Sequence, residues 1–144
     1  MGPPRTEPIG LQLMRTAKAV SRAFEDALGE VGGTLPSWLI LVSLKSQQHG
    51  AQREIAAAVG VEGPTLTHHL NRLERAGLVQ RSRDPDNRRV HRVLLTEAGE
   101  AAFGSMLGAA QAFDRRLRGA LTAAQLADLE QALGALRGAV SAAK

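Results

Sequence analysis

The chain contains no cysteine and no tyrosine, and only one tryptophan among its 144 residues. Without cysteine it can form no disulfide, no thiolate zinc site and no thiol-based redox switch, which fits a reducing cytoplasm. With aromatics at 3%, a core has to be built from leucine, alanine, valine and isoleucine, and pairing of chains offers a further way to bury apolar surface. Long apolar runs are also missing. The longest, "WLILVSL", falls far short of the roughly 20 residues that span a bilayer, and "MGPPRTEPIG" has no apolar signal core. A cytoplasmic protein without a membrane partner is expected. The rest of the composition, 44% hydrophobic and 22% charged, is that of an ordinary globular protein long enough to bury a core.

Charge is present but unevenly spread. The net charge is +4. Between Arg72 and Arg92 lie seven arginines (Arg72, Arg75, Arg81, Arg83, Arg88, Arg89, Arg92) against three acids (Glu74, Asp84, Asp86), while eleven basic and eleven acidic side chains cancel elsewhere. A chain neutral except for one basic strip calls for a local partner of opposite sign, and nucleic acid is the leading candidate. The plain alternative is a solvated arginine-rich face.

Apolar spacing predicts mainly helices. Ile9, Leu13, Ala17, Val20, Phe24 and Leu28 form one helical stripe from Glu7 to about Glu30. "GGT" and Pro36 break it, and a second helix starts near Pro36 with Thr34 as N-cap, ending around "QQHG" with Gly50 suited to a helix C-terminus. A short helix over Gln52 to Val59, the turn "GVEG" and a helix from Pro64 to "RAG" follow. The period then changes to two. "LVQRSR" and "RVHRVLLT" alternate on either side of "DPDN", which predicts a β-hairpin with an arginine-bearing tip. Thr96 is placed to cap a further helix with the stripe Phe103, Leu107, Ala110, Phe113 and Leu117. From Thr122 a last helix spaces Leu126, Leu129, Leu133, Leu136 and Val140 as a heptad seam that wants a partner helix.

Within this frame "QREIAAAVGVEGPTLTHHLNRL" has helix-turn-helix spacing. Ala56 is small where two helices approach, Gly60 sits in the turn, and Ile55, Val59, Val61, Leu66, Leu70 and Leu73 lock the pair. A hairpin with a basic tip directly after it makes the unit a winged helix-turn-helix. Successive helical side chains are turned about 100° apart, so the adjacent His68 and His69 cannot share a face. With the leucines inward, Thr65, His68 and Arg72 form an outward stripe, with Thr67 beside them, placed for the major groove. His69 is read as a half-buried residue with a local hydrogen bond. A metal centre on the pair is disfavoured, and His49 and His91 have no helical partner at i, i+4; a zinc site joining histidines of separate segments or chains stays open. No G-x-S-x-G, phosphate-cradling glycine loop, H-E-x-x-H or Ser/His/Asp set is present, so neither an enzyme nor a cofactor is expected.

"LPSWLILVSL" and "REIAAAVGVEGPTLTHHLNRLERAGLVQRSRDPDNRRVHRVLLTEAGE", with the flanking helices, resemble the MarR family of bacterial transcription regulators. The resemblance implies a mainly α fold with a small β-hairpin wing: an N-terminal dimerisation helix (1–34), a winged helix-turn-helix DNA-binding lobe (35–96) and C-terminal dimerisation helices (97–144). It also implies a homodimeric repressor of palindromic double-stranded DNA, with the recognition helix 64–76 in the major groove and the wing 84–90 in the minor groove. His68 stands where family members often carry an arginine, and His69 where they carry an apolar residue. At the wing tip the family's Asp-x-Arg reads Asn87-Arg88-Arg89: Arg89 matches the groove-inserting arginine, Arg88 suits phosphate, and Asn87 replaces the bracing acid. Arg83 and Arg81 are candidates for phosphate contact or for pairing with Asp84 or Asp86. Release by a small aromatic or anionic effector is implied as well, and Met14, Arg15, Lys18 and Trp38 are the nearest candidates for its pocket. The rival reading is a dimeric winged-helix protein-interaction module without specific DNA binding.

Overall fold

The computed structural model describes residues 1–46 and 50–141. Two compact units divide the chain, Met1–Ala110 and Gln111–Lys144. In chain order the elements are α1 (Ile9–Gly29), α2 (Leu35–Ser46), β1 (Gly50–Ala51), α3 (Gln52–Val59), α4 (Gly63–Arg75), β2 (Val79–Arg83), β3 (His91–Leu95), α5 (Glu97–Gly119) and α6 (Ala123–Ser141). Among the described residues no helix is long and apolar enough to cross a membrane.

Local chemistry sets the boundaries. At the start of α2 a reciprocal pair satisfies two end groups: the Ser37 N–H donates to Thr34 Oγ1 at 3.2 Å, and the Thr34 N–H donates to Ser37 Oγ at 2.8 Å. This is a capping box with serine at the fourth position. Gly60 closes α3 in the left-handed region, φ 78°, with its N–H on the Ala56 carbonyl, and α4 opens with proline in its first turn. Gly77, φ 79°, ends the recognition helix as its sequence position indicates. Each of these backbone turns favours glycine because a Cβ is penalised there.

The sheet departs from the expected two-stranded hairpin. Its order is β1-β3-β2, with Gly50 opposite Val93 and Ala51 opposite Arg92. Gly50 therefore begins a short strand rather than closing a helix; positions 47–49, including the expected end of the second helix and His49, lie outside the described residues. A strand of two residues gives no alternation to read. The main ladder pairs Val79 with Leu95 through Arg83 with His91.

The first unit is held by Leu28, Ile40, Leu41, Leu44, Ile55, Leu66, Leu70, Leu73, Val79, Val93 and Met106. The helix-turn-helix residues Ile55, Leu66, Leu70 and Leu73 are buried, as the sequence indicates. On α1 only the C-terminal end of the predicted stripe is covered: Leu28 is buried, but Ile9 and Leu13 are exposed. On α5 the face toward this core is Gly99, Ala102, Phe103 and Met106, so buried Met106 takes the place predicted for Leu107. The i, i+3, i+4, i+7 spacing is regular, but it begins on a glycine that an apolar stripe does not count. In the second unit Thr122 and Gln125 cap α6 reciprocally at 3.1 and 2.9 Å, and α6 has no buried residue.

Gly99 marks the closest approach. A Cβ at this position would lie 2.0 Å from the Leu78 carbonyl oxygen, a backbone atom with no room to yield, whereas a Cβ at Gly104 would meet nothing within 4 Å. Gly99→Ala is therefore expected to destabilise by about 1–3 kcal/mol, the usual range for overpacking. Gly104→Ala is expected to be neutral or stabilising by up to about 1 kcal/mol through helix propensity. Denaturant unfolding of the two proteins checks the contrast; equal stabilities would refute it.

Candidate nucleic-acid interface

Leu66, Leu70 and Leu73 fix the roll of α4 by entering the core. That roll leaves Thr65, His68 and Arg72 exposed and His69 half-buried. The two histidine rings are 5.7 Å apart and tilted by 60°. His69 lines a cavity of about 200 Å³ with Thr34, Ser37, Arg72 and Met106. Among the described residues the local hydrogen bond expected of His69 is not found, although the Thr34 and Ser37 hydroxyls line the same cavity. Arg72 thus borders both the exposed stripe and the cavity. Thr67 is turned differently: its hydroxyl donates to the Gly63 carbonyl at 3.0 Å and accepts from Gln52 Nε2 at 2.9 Å. This half-buried contact ties α4 to the first turn of α3.

The wing is organised around Asp84, which is only 8% exposed. One carboxylate oxygen accepts the Asp86 N–H at 2.8 Å, and the other accepts Arg92 Nε at 2.9 Å and Nη2 at 2.6 Å. The main chain closes around it, with the Asp84 N–H on the Val90 carbonyl at 2.8 Å and the Val90 N–H on the Asn87 carbonyl at 2.9 Å. Asn87 Oδ1 accepts the Arg89 N–H at 3.2 Å, so it shapes the turn and does not brace the Arg89 side chain. Arg88 and Arg89 are exposed. Among the described residues no ion pair engages Arg83, Arg88 or Arg89.

Among the described residues neither Arg81 nor Arg83 pairs with Asp84 or Asp86, and Arg92 holds Asp84. Arg81 turns back instead to α4, where Nη2 meets Glu74 Oε1 at 3.1 Å and also Asn71 Oδ1. Its own N–H donates to Glu74 Oε2 at 3.2 Å. These bonds hold the Glu74 carboxyl below its ordinary value. Arg75 donates to the Asn71 main-chain carbonyl at 3.3 Å.

Between α3, the start of α4 and the wing lies an open cleft of about 660 Å³, lined among others by Gln52, Arg53, Thr67, Arg81, Arg89 and His91 and by no carboxylate. Sequence reading missed Arg53 and Gln52, which stand outside the arginine-rich strip; only the packing of α3 beside the wing brings them to this cleft. The effector candidates are dispersed. Met14 and Lys18 are exposed, Arg15 pairs with Glu7 at 2.7 Å, and Trp38 stacks on Phe103 at 5.7 Å and 8°. Neither cavity described above includes any of the four. Among the described residues no group of three histidines or acids is placed to hold a metal ion.

The wing brace has a pH signature. The Asp86 N–H first, and Arg92 next, hold the Asp84 carboxyl below the usual aspartate value. The folded chain therefore binds this proton more weakly than the unfolded one. The stability so gained is complete above the unfolded value of about 3.9 and is lost as pH falls below it through the lowered folded value. Hydrogen-exchange protection of the Asp86 amide, corrected for intrinsic exchange, should stay flat near neutrality and fall only below about pH 4. Asp84→Asn should lack part of that protection even at neutral pH; an unchanged profile in the variant would overturn the assignment.

Known proteins share this arrangement. Residues 34–91 match the model of the MarR family. The HTH-type transcriptional regulator TtmR of Methylorubrum extorquens (strain PA1) is 36% identical over 91 residues, covering 62% of this chain and 46% of that protein. The chain thus aligns with about half the length of this curated relative. A probable transcriptional regulator from Pseudomonas aeruginosa is 28% identical, covering 90% of this chain and 97% of its own, with a TM-score of 0.79. The repressor CouR bound to a 23-mer DNA duplex is 27% identical over 93% of this chain and 92% of its own, TM-score 0.80. CouR from Rhodococcus jostii RHA1 bound to p-coumaroyl-CoA is 27% identical, covering 90% and 92%, TM-score 0.76. Residues 34–91 thus carry a MarR-family domain, in a chain whose fold these regulators share over nine-tenths of its length.

Proposed function

We propose that the chain is a sequence-specific DNA-binding transcription regulator acting as a homodimeric repressor. The observation that carries this reading is the uncompensated charge of one lobe: Arg53, Arg72, Arg83, Arg88 and Arg89 form no ion pair among the described residues, whereas Arg81 and Arg92 of the same strip are held by acids. Unpaired arginines beside an exposed recognition helix suit a polyanion. The CouR–duplex relative supports the same reading.

In this reading Thr65, His68 and Arg72 face base edges in the major groove. Thr67, tied to Gln52, contributes mainly by fixing the start of the helix. The wing, residues 84–90, reaches the minor groove with Arg89, where an arginine meets enhanced negative potential in A·T-rich sequence. Arg88 and Arg83 are placed for phosphates, and Arg53 joins them across the cleft. The exposed seam on α6, with Leu129, Leu136 and Val140 open to solvent, supports pairing with a second chain through the helices of 1–34 and 97–144. Two recognition helices related by a two-fold would read half-sites about 10 bp apart. A small aromatic or anionic effector would lower DNA affinity. The cavity beside His69 and Arg72 supports such a ligand, since its polar lining is an arginine, an imidazole and two hydroxyls with no carboxylate, and it borders the recognition helix.

Fluorescence anisotropy with a duplex selected from a random pool, against its scramble, across a salt series, tests the reading. Tight binding to the selected duplex alone, with a steep salt slope, is expected. Arg88→Ala should weaken all duplexes alike and reduce the slope by about 1. His68→Ala should cost roughly 1–3 kcal/mol at one base position and relax specificity there. Equal, weak, salt-labile binding to both duplexes would instead favour a protein-interaction module.

A further inference from the structure

We propose that Glu74 and Arg81 are positioning residues that fix the recognition helix and the wing at one register, so that the two grooves are read at a set spacing. The inference rests on the DNA-binding reading above and deepens it.

The backbone link between the two readers is short. α4 ends at Arg75 and β2 begins at Val79, and the intervening Gly77 adopts a left-handed φ of 79°. The bonds that close this turn, Gly77 N–H on the Glu74 carbonyl at 3.0 Å and Leu78 N–H on the Leu73 carbonyl at 2.9 Å, hold only the root of the wing. Arg81, midway along β2, adds a restraint further along the strand. Its guanidinium reaches Glu74 Oε1 at 3.1 Å and Asn71 Oδ1, its Nε faces Glu74 Oε2 at 3.5 Å, and its main-chain N–H donates to that same oxygen at 3.2 Å. Asn71 and Glu74 are three residues apart and so stand on one side of the helix. The strand is therefore tied through both main chain and side chain to two points along α4.

Several contacts on one rigid plane resist twisting in a way that one contact does not. Guanidinium geometry suits this role, and a lysine ammonium at Arg81 would be a point charge without the fork. The Arg81 side chain is 22% exposed and that of Glu74 41%, so the pair gains little net energy. Its effect is on orientation. The same contacts engage Arg81 with Glu74 and the Asn71 side-chain oxygen, leaving the wing's Arg88 and Arg89 to report the orientation that the clamp sets.

The test uses a duplex selected by the wild-type protein and the same duplex with one base pair inserted between the major-groove core and the flanking minor-groove segment. The insertion rotates the two segments by about 35°, from 10–10.5 bp per turn. The wild type should lose tenfold or more in affinity on insertion. Glu74→Gln and Arg81→Lys should each lose less than threefold, while a mismatch in the core still costs them what it costs the wild type. The exchanged pair Glu74→Arg with Arg81→Glu should regain part of the spacing penalty. A merely structural role would lower affinity for every duplex alike and leave the penalty intact. A full tenfold penalty in folded Glu74→Gln, or in Arg81→Lys should the first variant not fold, overturns the clamp. If the wild type prefers no duplex over its scramble, the DNA-binding reading itself falls, a result separate from the clamp's own failure.

Discussion

The lobe depends on one junction, where the carbonyls leaving the recognition helix meet the first turn of α5. The Thr96 hydroxyl donates to the Gly77 carbonyl at 2.5 Å and accepts the Gly99 N–H at 3.0 Å. The Thr96 N–H donates to the Leu78 carbonyl at 3.1 Å, and the Leu78 N–H returns to the Leu73 carbonyl at 2.9 Å. One side chain thus caps α5, satisfies a carbonyl at the end of α4 and closes the root of the wing. Gly99 is bare because Leu78 fills the space a side chain would need. The end of the recognition helix, the ends of both wing strands and the origin of α5 are held there in one hydrogen-bonded corner.

Polar contacts in this lobe act more on direction than on energy. The aliphatic core supplies cohesion through non-directional burial, which by itself does not settle how a hairpin leans. Direction comes from the Thr96 corner, from Arg81 on Asn71 and Glu74, and from Asp84 with Arg92. The half-exposed pair of Arg81 with Glu74 contributes little to stability, yet each of these contacts spans two segments of chain and closes an angle. The arginine-rich strip therefore divides. Arg81 and Arg92 serve as architecture, Arg75 bonds to its own helix, and Arg72, Arg83, Arg88 and Arg89 are left outward. A count of charges along the sequence cannot make that division, because it depends on which acid each guanidinium reaches after folding.

What was legible in the sequence follows the same line. Helices with a regular apolar stripe, their threonine caps at Thr34 and Thr96, the start of the last helix at Thr122, and the glycines at Gly60 and Gly77 are set by neighbours a few residues away and were readable. So was the division between exposed His68 and half-buried His69, since helical geometry alone fixes it. Three features were not. β1 is two residues long and owes its existence to β3, more than 40 positions later. Met106 replaces Leu107 because Gly99, without a side chain, sets the face of α5. Asp84 chooses Arg92 over Arg81 and Arg83 because of strand register, with Ser82 opposite Arg92. Each is a tertiary decision. The candidate DNA-facing residues were legible as types and spacing, whereas Arg53 and Gln52 enter only when α3 is folded beside the wing.

The scarcity of aromatics bears on assembly. The largest side chains available are few, and Trp38 and Phe103 are stacked on each other. Aliphatic side chains must therefore cover what remains, and each unit leaves some uncovered. Scattered exposed leucines are ordinary, but these are ordered: Ile9 and Leu13 recur at i, i+4 on α1, while Leu129, Leu136 and Val140 recur at seven and four on α6. Regular spacing at such positions is the pattern that partner helices complete. In the proposed dimer these stripes supply the burial that a single aromatic-poor chain lacks. That would link folding, pairing and two-fold DNA recognition: the apolar surface that a lone chain cannot cover is also what would set two recognition helices at a common spacing.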